Sequence, residues 1–230
     1  MFDRTVMRFG AAAAMVGAVG AVIFNLLHPR PDDVESISQV VSLAAEDDIW
    51  VLDHYVLGWV VAIALLAFIV FSRSLTGEPS TSWGRVALGF GVVGVVLMMV
   101  AVVLEGVALR EAAREASAAT AQAVAYVTEG VFVAGIGVFF GLTPLLYGAA
   151  VVTGETYPRW LGWMSVISGT VGIACASIIF FEGISEFTVN GLFLVSSLLF
   201  TLWIGLMGWR LWALMSEPTT ERATSRPVTG

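Results

Sequence analysis

Val86–Leu104 reads VALGFGVVGVVLMMVAVVL, nineteen residues without a charge or a histidine. At about 1.5 Å per residue such a helix spans roughly 28 Å, close to the hydrocarbon thickness of a bilayer. Arg85 stands just before it and Glu105 just after it. Five more stretches have the same character: Phe9–Leu27, Tyr55–Ser72, Gly130–Gly154, Trp160–Phe181 and Phe187–Trp209. Nearly all the charge lies between them. The sequence therefore predicts an all-α polytopic membrane protein with six transmembrane helices, at about 8–28, 50–72, 84–108, 122–152, 159–182 and 187–213. They form one domain over residues 1–216, and residues 217–230 are expected to be a polar cytoplasmic tail.

Composition narrows the function classes. The chain is 58% hydrophobic and 13% charged, outside the range of soluble domains. Its net charge of −7 excludes the basic face that nucleic acid requires. There is no lysine, so a retinal Schiff base has no attachment point. The single cysteine, Cys175, lies inside the fifth stretch, so no disulfide or CxxC pair forms within the chain, and it reads as a small buried residue. HExxH, GxSxG and Walker motifs are absent, which favours a non-enzymatic reading. The first stretch is too long for a signal-peptide core, and it ends in Asn25-Leu26-Leu27-His28-Pro29 without a small-residue cleavage site. It is expected to be retained.

With the N-terminus placed inside, Arg4, Arg8, Arg73, Arg85, Arg159, Arg210, Arg222 and Arg226 fall inside, and Arg30, Arg110 and Arg114 outside. The positive-inside rule then predicts a cytoplasmic-membrane protein with both termini cytoplasmic. Most acids fall at the other, extracytoplasmic end. There, Val34, Ile37, Val41 and Ala44 recur at helical spacing after Pro29-Arg30-Pro31-Asp32-Asp33, which predicts a short surface helix over about 33–46. Leu109–Gln122 is rich in helix formers and is expected to extend a membrane helix into solvent. Thr143-Pro144 is expected to kink the fourth span.

A faint internal echo runs along the chain. Thr76-Gly77-Glu78 with Trp83 matches Thr153-Gly154-Glu155 with Trp160, and Leu104-Glu105-Gly106-Val107 matches Phe181-Glu182-Gly183-Ile184 at the same offset. The pairs Gly17/Gly20, Gly91/Gly94 and Gly169/Gly172 add a third copy, in which His28 takes the place of Glu105 and Glu182. The implied unit is a helical hairpin, three of them in tandem and parallel. Abundant small residues also explain such matches without ancestry.

From Trp83 to Glu105, and from Trp160 to Glu182, a helix rises roughly 33 Å, so each Trp marks one interface and each Glu the other. His28, Asp53, His54, Glu105, Glu129 and Glu182 thus fall at one depth and form the candidate ion or proton site. Within it, His28, His54, Glu105 and Glu182 have the donor types that a divalent metal takes, the one cofactor these residues suit. Solvated interfacial carboxylates need no function at all. A bis-His haem on His28 and His54 is less well supported, because neither sits deep in the membrane.

Three functions fit. The best supported is a small transport-like or ion- and proton-responsive bundle with an acidic extracytoplasmic site. The others are a metal-dependent enzyme acting on a lipid or amphiphile at the outer interface, and a scaffold or accessory subunit. The bilayer is the expected partner, with room for a homo-oligomer or a membrane partner subunit and none for nucleic acid. The smooth face of Gly84, Ala87, Gly91 and Gly94 is where another helix could pack closely.

Overall fold

The structure, a computed structural model, describes residues 3–29 and 31–216. The proposed tail at 217–230 lies outside the described residues. Among the described residues, six helices are long and apolar enough to cross a membrane: span one Arg4–Leu27, span two Trp50–Ser74, span three Ser80–Glu115, span four Ala118–Thr153, span five Arg159–Glu182 and span six Phe187–Ser216. No strand occurs among the described residues. This is a multi-pass, all-α membrane protein by helix length and hydropathy.

Each span packs on its sequence neighbours, and span six closes back on span one. Gly17 and Gly20 meet Ile63 and Val60, and Gly91 meets Phe68. Gly94 lies against Phe139, and Gly141 against Ile173. Ser168 and Ser196 exchange hydrogen bonds at 3.0 Å between spans five and six. Gly208 lies against Ala11 and Ala14. The result is a ring in which every helix runs antiparallel to both neighbours. The end carrying the connections at 28–49, 116–117 and 183–186 is called upper below; the other is lower.

Small residues set how closely the helices approach. On span five, Gly162, Ser165 and Gly169 share a face against span four. A Cβ on Gly169 would lie 2.6 Å from the Gly141 carbonyl and the Leu145 amide nitrogen. Ser165 Oγ donates to the Pro144 carbonyl at 2.7 Å. Without a hydrophobic force between helices in lipid, such close packing and interhelical hydrogen bonds hold them together. The three glycine pairs of the echo do not meet equivalent neighbours. Gly17 and Gly20 face span two, Gly91 and Gly94 divide between spans two and four, Gly169 faces span four, and Gly172 lies between Phe140 of span four and Ser196 of span six.

Three spans contain π-helical turns, at Leu104–Leu109, Ile136–Leu142 and Phe187–Phe193. The second ends directly before Thr143-Pro144. Proline has no N–H and crowds the carbonyl one turn back, so the chain widens there instead of breaking. Span three continues upward to Glu115, and the chain breaks at Ala116 before Ser117 caps span four. The upper surface helix is Ile37–Glu46. Its apolar side, with Val40, Val41 and Ala44, packs on Leu109 and Ala125 at the tops of spans three and four. Arg114 Nε donates to the Ala45 carbonyl at 2.9 Å and fixes its far end.

The ring is filled unevenly. At mid-depth and below, Phe68, Phe71, Phe139, Tyr147, Phe200 and Trp203 interlock, with Phe68 and Phe139 centroids 5.8 Å apart and Phe200 and Trp203 stacked at 5.9 Å. Tyr147 donates to the Phe68 carbonyl at 2.7 Å, which satisfies its hydroxyl in the core. Above this layer lies a cavity of about 230 Å³, to which all six spans contribute.

Candidate functional site

The upper mouth of the ring is built on the first turn of span two. Trp50, Asp53 and His54 share that turn and are 2%, 6% and 2% exposed. Residues three and four apart lie on one helix face, so the Trp50 and His54 rings pack together, tilted by 33° with centroids 4.6 Å apart. The Trp50 indole N–H donates to the carbonyl of Glu105 at 2.9 Å. That carbonyl belongs to the first π turn, where the widened helix leaves main-chain groups open to outside donors. One hydrogen bond therefore fixes the register of span two against span three.

His54 is held from two sides. Its Nδ1 is 2.7 Å from the Trp50 carbonyl oxygen. A carbonyl only accepts, so Nδ1 carries the proton. Its Nε2 is buried without a hydrogen-bond partner and points at Glu105 Oε2, 3.5 Å away. On the neutral imidazole that nitrogen is a lone pair, and it faces another acceptor. The contact is favourable only with a proton or a cation between the two atoms. Behind the ring, a Cβ on Gly106 would come to 2.5 Å from His54 Cβ, so glycine there is what lets span three approach the histidine.

His28, just past the end of span one, brings its Nδ1 to 2.6 Å from Asp53 Oδ2. Asp53 Oδ2 also lies 4.0 Å from His54 Nδ1. His28, Asp53 and His54 each offer one ligand atom, and these atoms lie within 4.8 Å of one another. The His54 arrangement, one nitrogen on a backbone carbonyl and the other free, is the usual orientation of a metal-binding histidine.

Of the six residues singled out by depth, the structure gathers four: His28, Asp53, His54 and Glu105. Glu129 is half-buried on span four and forms no ion pair or hydrogen bond with that group among the described residues. Glu182 is exposed and does not join it either. It is the last helical residue of span five, and Gly183 at φ +90° turns the chain away directly after it. The residues whose ligand atoms the structure brings within 4.8 Å of one another are His28, Asp53 and His54, with Glu105 beside His54 and Glu182 apart from them. Trp50 was not among the sequence candidates. Its signal is an aromatic residue four before a histidine at a helix start. Cys175 is buried, with its thiol 3.4 Å from the Thr188 carbonyl, and packs with Val133, Ile136 and Ile179.

The cluster borders the cavity. His28 and Glu105 line its mouth with Asn25 and Asn190, and the rest of the wall, apart from Ser197 and Thr201, is apolar down to Phe139, Phe200 and Ile204. Each π turn supplies wall residues: Glu105 from the first, Ile136 and Phe139 from the second, Asn190 and Phe193 from the third. Such turns are frequent at functional sites, where they redirect side chains that a regular helix would aim elsewhere.

No family model matches this chain, and no curated protein or solved structure matches it either. What it does must be argued from the His28–Asp53–His54–Glu105 geometry.

Proposed function

We propose that this protein is an ion- or proton-responsive membrane bundle whose sensing group is His28, Asp53, His54 and Glu105 at the extracytoplasmic face. One observation carries the reading: the free Nε2 of buried His54 faces Glu105 Oε2 at 3.5 Å, with Nδ1 committed to a carbonyl. A proton or a divalent cation of the Zn²⁺ or Mn²⁺ class converts two opposed acceptors into a bonded pair. The aromatic layer under the cavity supports a responsive bundle over an open conduit, because the cavity stops at Phe139, Phe200 and Ile204.

The test is thermal unfolding of the purified protein in mild detergent, across about pH 5 to 8 and with Zn²⁺ or Mn²⁺ added to chelator-treated protein. The wild type should change stability along at least one axis, and His54→Gln/Glu105→Gln should not. An identical response from the double variant would sink the reading.

A second reading, a metal-dependent enzyme acting on an amphiphile, is favoured by one feature: the cluster sits at the mouth of an apolar cavity. It requires a resident metal with an open position. Protein purified without chelator should then carry about one metal per chain, because a real site stays largely occupied; less than about 0.1 per chain excludes it.

A further inference from the structure

Beneath the polar mouth, the cavity is lined mainly by apolar side chains, with Ser197 and Thr201 the exceptions. Its depth is bounded by the aromatic layer, and its volume of about 230 Å³ lies just below the roughly 300–1,000 Å³ of drug-sized ligand pockets. That is room for one chain, not for a two-tailed phospholipid.

The ring is also not equally tight all round. Spans one and six meet closely in their lower parts, where Gly208 lies against Ala11 and Ala14, and Gly205 against Ala18. Toward the upper end, the π turn that opens span six packs on span five and makes no comparable contact with span one. On the two sides of that gap stand Ala21 and Phe24, and Val189 and Phe193, all of which line the cavity. Between two membrane-spanning helices, such a gap is where a chain could enter sideways from lipid.

The mouth selects for charge. Among the described residues that line the cavity there is no arginine, and the whole chain has no lysine. The polar groups there are His28, Asn25, Asn190 and the Glu105 carboxylate, with Asp53 directly behind His28. Among the described residues, a carboxylate or phosphate head would meet the Glu105 carboxylate, with Asp53 behind His28, and no arginine. A hydroxyl or an amine would find acceptors.

We propose that the cavity binds a single-chain amphiphile with a hydroxyl or amine head. It enters from the bilayer between the upper parts of spans one and six, and its head rests against Asn25, His28 and Glu105. The position of the head rests on the functional reading given above; the tail cavity and its gap stand independently of it.

The test is photo-crosslinking in lipid nanodiscs with three probes that share one diazirine-bearing chain and end in an alcohol, an amine or a carboxylate. Crosslinked residues are mapped by mass spectrometry. The alcohol and amine should label cavity residues such as Ala21, Ile136 and Phe193, with the carboxylate about tenfold weaker, corresponding to roughly 1.4 kcal/mol. Two filling variants on different spans, Ala21→Phe and Ser197→Phe, should each lose that labelling while eluting as monodisperse protein; the second guards against one of them failing to fold. Labelling confined to outward residues such as Val16 and Trp59, or unchanged in both folded filling variants, overturns the proposal. Equal labelling by the carboxylate overturns its head-group part. Cavity labelling that persists in His54→Gln/Glu105→Gln, alongside wild-type ion responses in that variant, would reject the sensing reading and leave the tail site standing.

Discussion

Nε2 of His54 and Oε2 of Glu105 are 3.5 Å apart, on two different spans, and His54 has already given its other nitrogen to a main-chain carbonyl. Whatever occupies the space between them couples span two to span three. The energies of His54→Gln and Glu105→Gln should therefore not add. A double-mutant cycle read by unfolding in mild detergent should give a coupling of about 0.5–3 kcal/mol, as for residues in one network. Strict additivity would mean that the two side chains are merely neighbours.

Gly106 is the space His54 needs. Gly106→Val should push the imidazole out of register and cost about 1–3 kcal/mol by overpacking. In a chain of this size that is roughly 2–4 °C of apparent Tm per kcal/mol. Any pH or metal response should go with it. A Gly106→Val protein that keeps the wild-type response would show that His54 does not need this contact.

Trp50→Phe keeps an aromatic ring against His54 but removes the indole donor. The Glu105 carbonyl then loses its 2.9 Å partner, and a buried acceptor left without one costs about 1–3 kcal/mol. Hydrogen exchange should rise in Leu104–Leu109 before it rises elsewhere in span three. Uniform exchange along the span would place the effect in bulk packing.

At Gly169 the seam between spans four and five leaves no room for a bulky side chain. At Gly169 a Cβ would lie 2.6 Å from main-chain atoms of span four, which cannot swing aside as a side chain could. Gly169→Leu should abolish monodisperse protein, and Gly169→Ala should lower the apparent Tm by several degrees. A Gly169→Leu protein that is stable and monodisperse would contradict the packing described.

At the lower end, Tyr157 is 4% exposed, and its hydroxyl shares a 2.6 Å hydrogen bond with Ser74 Oγ. Burial pushes the phenol well above its ordinary value, and the Ser74 contact offsets this only in part. The folded state therefore holds the phenolic proton where the unfolded state releases it. This contribution to stability is complete below the unfolded value of about 10 and falls as pH rises through it. Tyr157→Phe should cost about 1 kcal/mol near neutrality and lose less stability than the wild type between about pH 9 and 11. Parallel pH curves would rule out that linkage.

The spans were legible because a charge inside lipid is costly, so uncharged runs of sufficient length mark them directly. The surface helix was legible through the spacing of Ile37, Val41 and Ala44, which now face Leu109 and Ala125. The site was only partly legible. Counting residues from Trp83 or Trp160 gives depth, but each residue also turns a helix by about 100°, and azimuth depends on how neighbours pack. Glu105 and Glu182 therefore share an expected height, yet only Glu105 meets His54. The π turns were hidden for a related reason: they answer to contacts such as Trp50 on the Glu105 carbonyl, which no local pattern encodes. The cavity was hidden too, since its alanines and glycines read as ordinary close-packing residues.

The turn at Leu104–Leu109 acts as a stepped joint in a shaft. Below it, span three is indexed to the ring through Gly91, Gly94 and Met98; above it, Leu109 is indexed to the surface helix and Arg110 to the turn after it, 3.9 Å from Asp48. In an ordinary helix, residues four apart drift by about 40°, whereas the wider turn brings them nearly into line. Val102, Gly106 and Arg110 can thus all be buried. Deleting one residue there would leave both halves helical but rotate one against the other, so the surface helix and the Glu105 carboxylate could not both keep their seats. The extra residue is a phase setting, and it gears the upper cap to the mouth of the cavity.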